Sequence, residues 1–487
     1  MRELYRNFRW FEDDSPQSML VENGVVLERG VLGEINSVDA SFDLEGALLH
    51  PAFVDSHCHI LPTGLDLQKL NLGSCDTPEE VLQAVADRNQ QMPEGEWLRA
   101  VLYDQTKFHS GEHLTRDDLD RISASRPIVL RHVNGHASIA NTAALLAAGV
   151  TEDEPDPAGG TFVRDASGRI TGVLLEHAHE RVFDAGPKLR VDQMVEAILA
   201  AGHKMSELGI VAASDMMTGR YDLLSELDAY VEAARQGCPI RTRLYVQWGT
   251  VFGPRGIGLD RFVERANTIK SDSVRVAGIK IFADGAIGSK TAGIYGSYQD
   301  ESPSETSGKL IYSPERLIEM VKTASDAGFQ VCVHSIGDWS TDKVLDAFEA
   351  SGDPSRHRIE HVMLLSDAQI DRIARLGCFA TMQPEFLMRL GHAYRRNLGE
   401  ARAARLKRAN SCLKAGVKLS FSSDRPIVSG NPRDGIQTAT RRPEGFDSSE
   451  NVRLRDALRL YSASGDEVNG DHPSLLMPGQ RAQWLTT

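Results

Sequence analysis

Eight short apolar runs, most of them separated by helix-like stretches, constrain the fold of this 487-residue chain more than any other feature. They fall at 51–57, 209–215, 241–248, 275–283, 329–334, 358–363, 377–383 and 417–423. Runs such as GIVAASD and RVAGIKIF read as strands of the buried kind, and most end in a polar or ionisable residue. The intervening stretches carry helix boundaries. SPERLIEMVKTASDAG (313–328) opens on Ser before Pro and stops at Gly. SDAQIDRIARLG (366–377) spaces Ile370, Ile373 and Leu376 along one helix face and also stops at Gly. Eight strands alternating with helices predict an α/β fold, a (β/α)8 barrel of TIM type.

The gap between the first and second strands is too long for one crossover. It carries segments of its own (WLRAVLYD, PIVLRHV, TAALLAAG). Residues 65–200 are therefore expected to form an inserted lobe over the barrel mouth, with 51–64 and 201–464 making the barrel. Residues 1–50 read as short strands broken by Gly and Asn, and PGQRAQWLTT in 465–487 is placed to return a strand to them.

Composition narrows the partners. With 54 basic and 68 acidic residues the formal charge is −14, which favours neither nucleic acid nor an anionic membrane. No apolar run reaches the ~18 residues that span a bilayer, and MRELYRNFRWFEDDS lacks the apolar core of a secretory signal. Six scattered cysteines without a CxxC fit a reducing, cytoplasmic setting. The expected partner is a small-molecule substrate, and a homo-oligomer stays open.

Metal-type residues gather at the C-terminal ends of the strands. His57 and His59 are two apart, so on an extended strand both imidazoles face the same way. Lys280 lies in the fourth strand, His334 ends the fifth, His361 is in the sixth and Asp424 ends the eighth. Barrel active sites form at this face. Four imidazoles, an amine and a carboxylate there suit one or two divalent cations, zinc first, with iron or manganese as alternatives. A second His-x-His pair, His177 and His179, reads instead as a polar helix start after a strand. Asp284 reads equally as a ligand-orienting group or a turn cap, and Arg425 as a surface arginine.

These motifs resemble the amidohydrolase superfamily, and within it the amidohydrolase-3, or YtcJ-like, group. The resemblance rests on HPAFVDSHCH, LRHVNGHASIANTAALLAAG, DPAGGTFVRDASGRITGVLLEHA, GIKIFADGAIGSKTA, VCVHSIGD, RIEHV, FSSDRPI, LRDALRLYSASG and MPGQ, and spans roughly 45–480. It implies a metal-dependent hydrolase barrel with a small β-sandwich built from 1–50 and 465–487. It places His57, His59, Lys280, His334, His361 and Asp424 at metal-ligand positions. Lys280 matches a lysine that is carboxylated and bridges two metals in binuclear members. His136 and Glu176 match positions that face the active site from the insert.

The expected activity is hydrolysis of a non-peptide C–N bond (amide, formamide, cyclic amide or carbamate) by metal-activated hydroxide, with Asp424 as the catalytic base. His136 and Glu176 are the other catalytic candidates. Two alternatives stand beside it: a mononuclear deaminase of a heterocycle, and a catalytically silent regulatory barrel.

Overall fold

The computed structural model describes residues 1–487 apart from 34, 36, 134–136, 158 and 159 and the side chain of Asp184. The chain divides into two units, Met1–Thr63 with Ile198–Thr487, and Gly64–Ala197.

The first unit holds eight parallel strands in sequence order: β1 (Phe53–Cys58), β2 (Ile210–Thr218), β3 (Arg241–Gln247), β4 (Val274–Phe282), β5 (Gln330–Ser335), β6 (Arg358–His361), β7 (Phe379–Met382) and β8 (Lys418–Phe421). Each pairs with the next, and side-chain and backbone hydrogen bonds bridge the gap between last and first. Ser56 Oγ donates to the Phe421 carbonyl at 3.0 Å, and just beyond, the Asp424 N–H donates to the His57 carbonyl at 2.7 Å. The expected (β/α)8 barrel is the observed one. Register levels its functional end: Lys280 pairs with Cys332, Phe282 with His334 and Ser335 with His361.

The helix signals act as read. Ser313 caps Pro314–Asp326 through the Arg316 N–H, Ser366 and Gln369 form a capping box, and Gly377 ends that helix at φ 67°. Strand ends differ from expectation by up to three residues. β2 continues to Thr218, while β6 stops at His361, because His361 and Val362 take φ of 76° and 36° and leave the extended region.

The terminal segments form one six-stranded sheet. Arg2–Trp10 pairs antiparallel with Pro16–Glu22 on one edge, and parallel with Ala40–Asp43 and Leu48–Pro51 on the other. Trp484–Thr486 adds antiparallel to Leu48–Pro51.

The second unit is a six-stranded mixed sheet in the order Gly160–Arg164, Ile170–Glu176, Ala137–Ala140, Ile128–His132, Leu98–Tyr103, Leu70–Asn71. Strand alternation covers both faces. Ile128 and Leu130 join one apolar cluster with Val81, Val85 and Leu98, while Val129 joins another with Ala144, Leu145 and Leu174.

All six cysteines are unpaired. Among the described residues no helix is long and apolar enough to cross a membrane.

Candidate metal centre

His57 is buried one residue before the end of β1, with His59 one step beyond the strand. Asp424 follows β8 at φ 59° and is anchored by its bond to the His57 carbonyl. Its Oδ1 lies 3.3 Å from His57 Nε2 and 2.8 Å from His59 Nε2. One ligand atom from each of these residues falls within 4.8 Å of the others. The contacts are close but poorly directed as hydrogen bonds. His57 Nε2 and Asp424 Oδ1 are sealed from water with no hydrogen-bond partner, and so is Lys280 Nζ.

The other predicted ligands adjoin this group. The His361 ring centroid is 4.6 Å from that of His57 and 4.4 Å from that of His334. Adjacent strand residues point to opposite faces, yet both Glu360 and His361 meet the centre. The positive φ at His361 turns its side chain back towards the site. His361 Nδ1 contacts Gln383 Oε1 at 2.9 Å, which leaves Nε2 for a ligand. His334 Nε2 donates to the Gly285 carbonyl at 3.0 Å, which leaves Nδ1.

Burial sets the charge states. It drives His334 down to about 3, with Lys280 acting in the same direction, and it drives His361 well below the usual imidazole range. It also lowers Lys280, against the pull of the Glu360 and Asp424 carboxylates. Burial acts to raise Asp424, but positive charge on the side of His57 and His59 outweighs that and holds it well below the usual carboxylate range, and a cation bound between them would act in the same direction. Neutral imidazoles and an ionised carboxylate are the forms that bind a cation. A buried polar atom left unmatched costs on the order of 1–3 kcal/mol. Three of them in one place fit a bound divalent cation.

Sequence reading missed the shell beneath. Glu360 Oε2 sits 2.6 Å from His57 Nδ1, and Arg358 Nε donates to Glu360 Oε1 at 2.6 Å. Lys407 is buried and donates to Gln383 Oε1 at 2.8 Å and to the His361 carbonyl at 3.0 Å. The available signal was two opposite charges in the short strand HRIEHV, where a barrel interior calls for apolar residues.

Asp284 lies 3.6 Å from His334 Nε2. It accepts from the N–H groups of Gly293, Ile336 and Gly337 and from the Ser340 hydroxyl, so it ties the loop after β4 to the turn after β5. Burial pushes its carboxyl up to about 6 against those four bonds. Arg425 is buried rather than on the surface, and its Nη2 donates to the Ser429 carbonyl. Glu176 is exposed at the end of its strand in the second unit, at φ 50°, and His177–Asp184 begins a helix there, as read for the second His-x-His pair. His136 lies outside the described residues.

Comparison with known proteins agrees with this geometry. The chain is 32% identical to the putative amidohydrolase YtcJ of Bacillus subtilis, over 93% of this chain and 86% of that one. It is 26% identical to the N-substituted formamide deformylase of Arthrobacter pascens, over 96% and 89%. A metal-dependent hydrolase from Pyrococcus furiosus superposes with a TM-score of 0.80 at 26% identity, covering 100% of this chain and 98% of that one. The sequence model of the Amidohydrolase family matches residues 40–483, and the chain belongs to that family.

Proposed function

We propose that this protein is a metal-dependent hydrolase of a non-peptide C–N bond in an amide, formamide, cyclic amide or carbamate. The observation that carries the reading is the group of sealed, unmatched atoms His57 Nε2, Asp424 Oδ1 and Lys280 Nζ at the C-terminal end of the barrel. The formamide deformylase of Arthrobacter pascens, alignable over nearly the whole chain, supports a C–N substrate.

His57, His59 and Asp424 would hold a divalent cation, zinc by their donor set, with His334, His361 and Lys280 completing the site. When bound, the cation supplies an acidified water and polarises the carbonyl. The protein's own groups do the rest. Asp424, ionised, takes a proton from the attacking water and returns it to the nitrogen, because an amine leaves readily only when protonated. His334 and His361, held neutral, bring no competing positive charge. The Lys280 amine, driven towards neutrality by burial, attacks carbon dioxide. An N–C bond forms, one N–H proton leaves to solvent, and the product is an anionic carbamate. Its oxygens add negative charge beside Asp424, which suits two cations better than one.

Metal analysis together with turnover on N-substituted formamides, amides, cyclic amides and carbamates tests the reading. A metal-loaded protein inert towards all four classes would remove it in favour of the silent barrel. Ammonia release from a heterocycle, at one metal per chain, would favour the deaminase.

A further inference from the structure

We infer that Glu360 is a positioning residue that fixes the tautomer of His57 and makes it the strongest donor of the centre, with Arg358 clamping Glu360. The inference rests on the metal-dependent reading above.

Arg358 and Glu360 are two apart on β6, so both side chains enter the barrel, and both are 0% exposed. The guanidinium is held from several elements. It donates to the Ser56 carbonyl on β1 at 2.7 Å, to the Tyr245 hydroxyl on β3 at 3.2 Å, to Thr381 Oγ1 on β7 at 3.2 Å and to Asn469 Oδ1 at 3.0 Å. It also meets both oxygens of Glu360, at 2.6 and 3.2 Å. The carboxylate is thereby fixed in rotation, with Oε2 2.6 Å from His57 Nδ1.

An ionised carboxylate only accepts, so the proton of this contact belongs to Nδ1. The lone pair is then on Nε2, the sealed atom 3.3 Å from Asp424 Oδ1. A buried ion pair is a weak source of stability, and apolar residues of similar volume often serve as well. The directed output of this pair is the contact with His57. The other imidazoles are backed differently. His361 leans on a neutral amide that Lys407 also engages, and His334 on a backbone carbonyl. A carboxylate behind an imidazole raises its basicity as a ligand more than either.

Glu360→Gln keeps the shape and removes the charge. In metal-free protein titrated with Zn2+ against a chromophoric chelator, it is expected to weaken the tightest site by roughly 10–100-fold. The folded state is checked by circular dichroism. Because the variant leaves Arg358 without its counter-charge, a second measurement uses the metal-free wild type. With 15N-labelled histidine, and His57 assigned by its loss in His57→Gln, the imidazole should appear protonated on Nδ1. A folded Glu360→Gln protein that binds Zn2+ as tightly as wild type, or a wild-type His57 protonated on Nε2, would overturn the role. If wild type binds no divalent cation, the proposed function falls, and the tautomer alone decides the role of Glu360.

Discussion

Glu226 offers a prediction whose size follows from its surroundings. It sits in the first turn of helix Leu223–Arg235, 1% exposed, behind the loop that follows β2. Its two oxygens accept from the N–H groups of Gly219 at 2.7 Å and Tyr221 at 2.6 Å. Burial pushes its carboxyl from 4.5 up to about 7, the Asp215 carboxylate pushes the same way, and the two backbone bonds oppose. The folded state therefore holds this proton more tightly than the unfolded chain. Its contribution to stability is complete below 4.5 and is lost as pH rises through about 7. At ~1.4 kcal/mol per pH unit the whole span corresponds to roughly 3 kcal/mol. Glu226→Gln has no such proton. Urea unfolding of both proteins, followed by tryptophan fluorescence, should show wild type losing roughly 2–3 kcal/mol relative to the variant between about pH 5 and about pH 8. Effects of other titrating groups cancel in that difference. A gap independent of pH, or one that moves in favour of wild type as pH rises, would refute the assignment.

Asp424→Asn should retain the fold and most of the metal while turnover falls by roughly 10²–10⁴-fold, the usual worth of a positioned acid or base. Steady-state rates alongside metal content check this, and near wild-type rates would reject Asp424 as the proton carrier. Lys280→Ala should lose most bound metal, with partial recovery from added short carboxylates. In wild type equilibrated with 13C-bicarbonate, a carbamate carbon resonance absent from Lys280→Ala is expected. Full metal and full turnover in Lys280→Ala would remove the lysine from the centre.

The barrel was legible because its signals are local. A buried strand shows as an apolar run, and a capped helix shows as Ser before Pro or Gly after the last turn. His57 and His59 were legible for the same reason, since their spacing matches the pleat. The positions of His361 and Asp424 were legible, but their orientations were not. Both depend on positive φ at residues that carry side chains, which no pattern of residue types announces. The supporting shell was invisible because it is assembled across the barrel. Gln383 and Lys407 reach His361 from just after β7 and from the segment before β8, and Arg358 joins four elements. Arg425 was misread for a related reason: its burial comes from the turn at Ser429 and Gly430, which closes over it.

Tyr394 carries the last prediction. Helix Glu385–Leu398, after β7, sets it among Phe386, Leu387 and Val428 in an apolar cluster, 4% exposed. Burial raises its hydroxyl, and the Asp424 carboxylate, the one charge that acts on it, raises it further. Among the described residues the hydroxyl has no hydrogen-bond partner, yet it is not one of the atoms sealed from water. A buried tyrosine usually places its O–H on an acceptor. An open hydroxyl within the field of Asp424 is a candidate donor to the substrate oxygen as negative charge develops there. Removing one such donor costs roughly 10²–10³-fold in rate at well-formed oxyanion sites, and a single neutral hydroxyl should lie at the lower end. Tyr394→Phe breaks no protein hydrogen bond, so stability should change by less than ~0.5 kcal/mol. kcat should fall by about 100-fold with KM little changed, because the bond strengthens only in the transition state. An unchanged kcat would show that the ring serves packing alone. A loss of stability with kcat intact would mean that the hydroxyl has a protein partner after all.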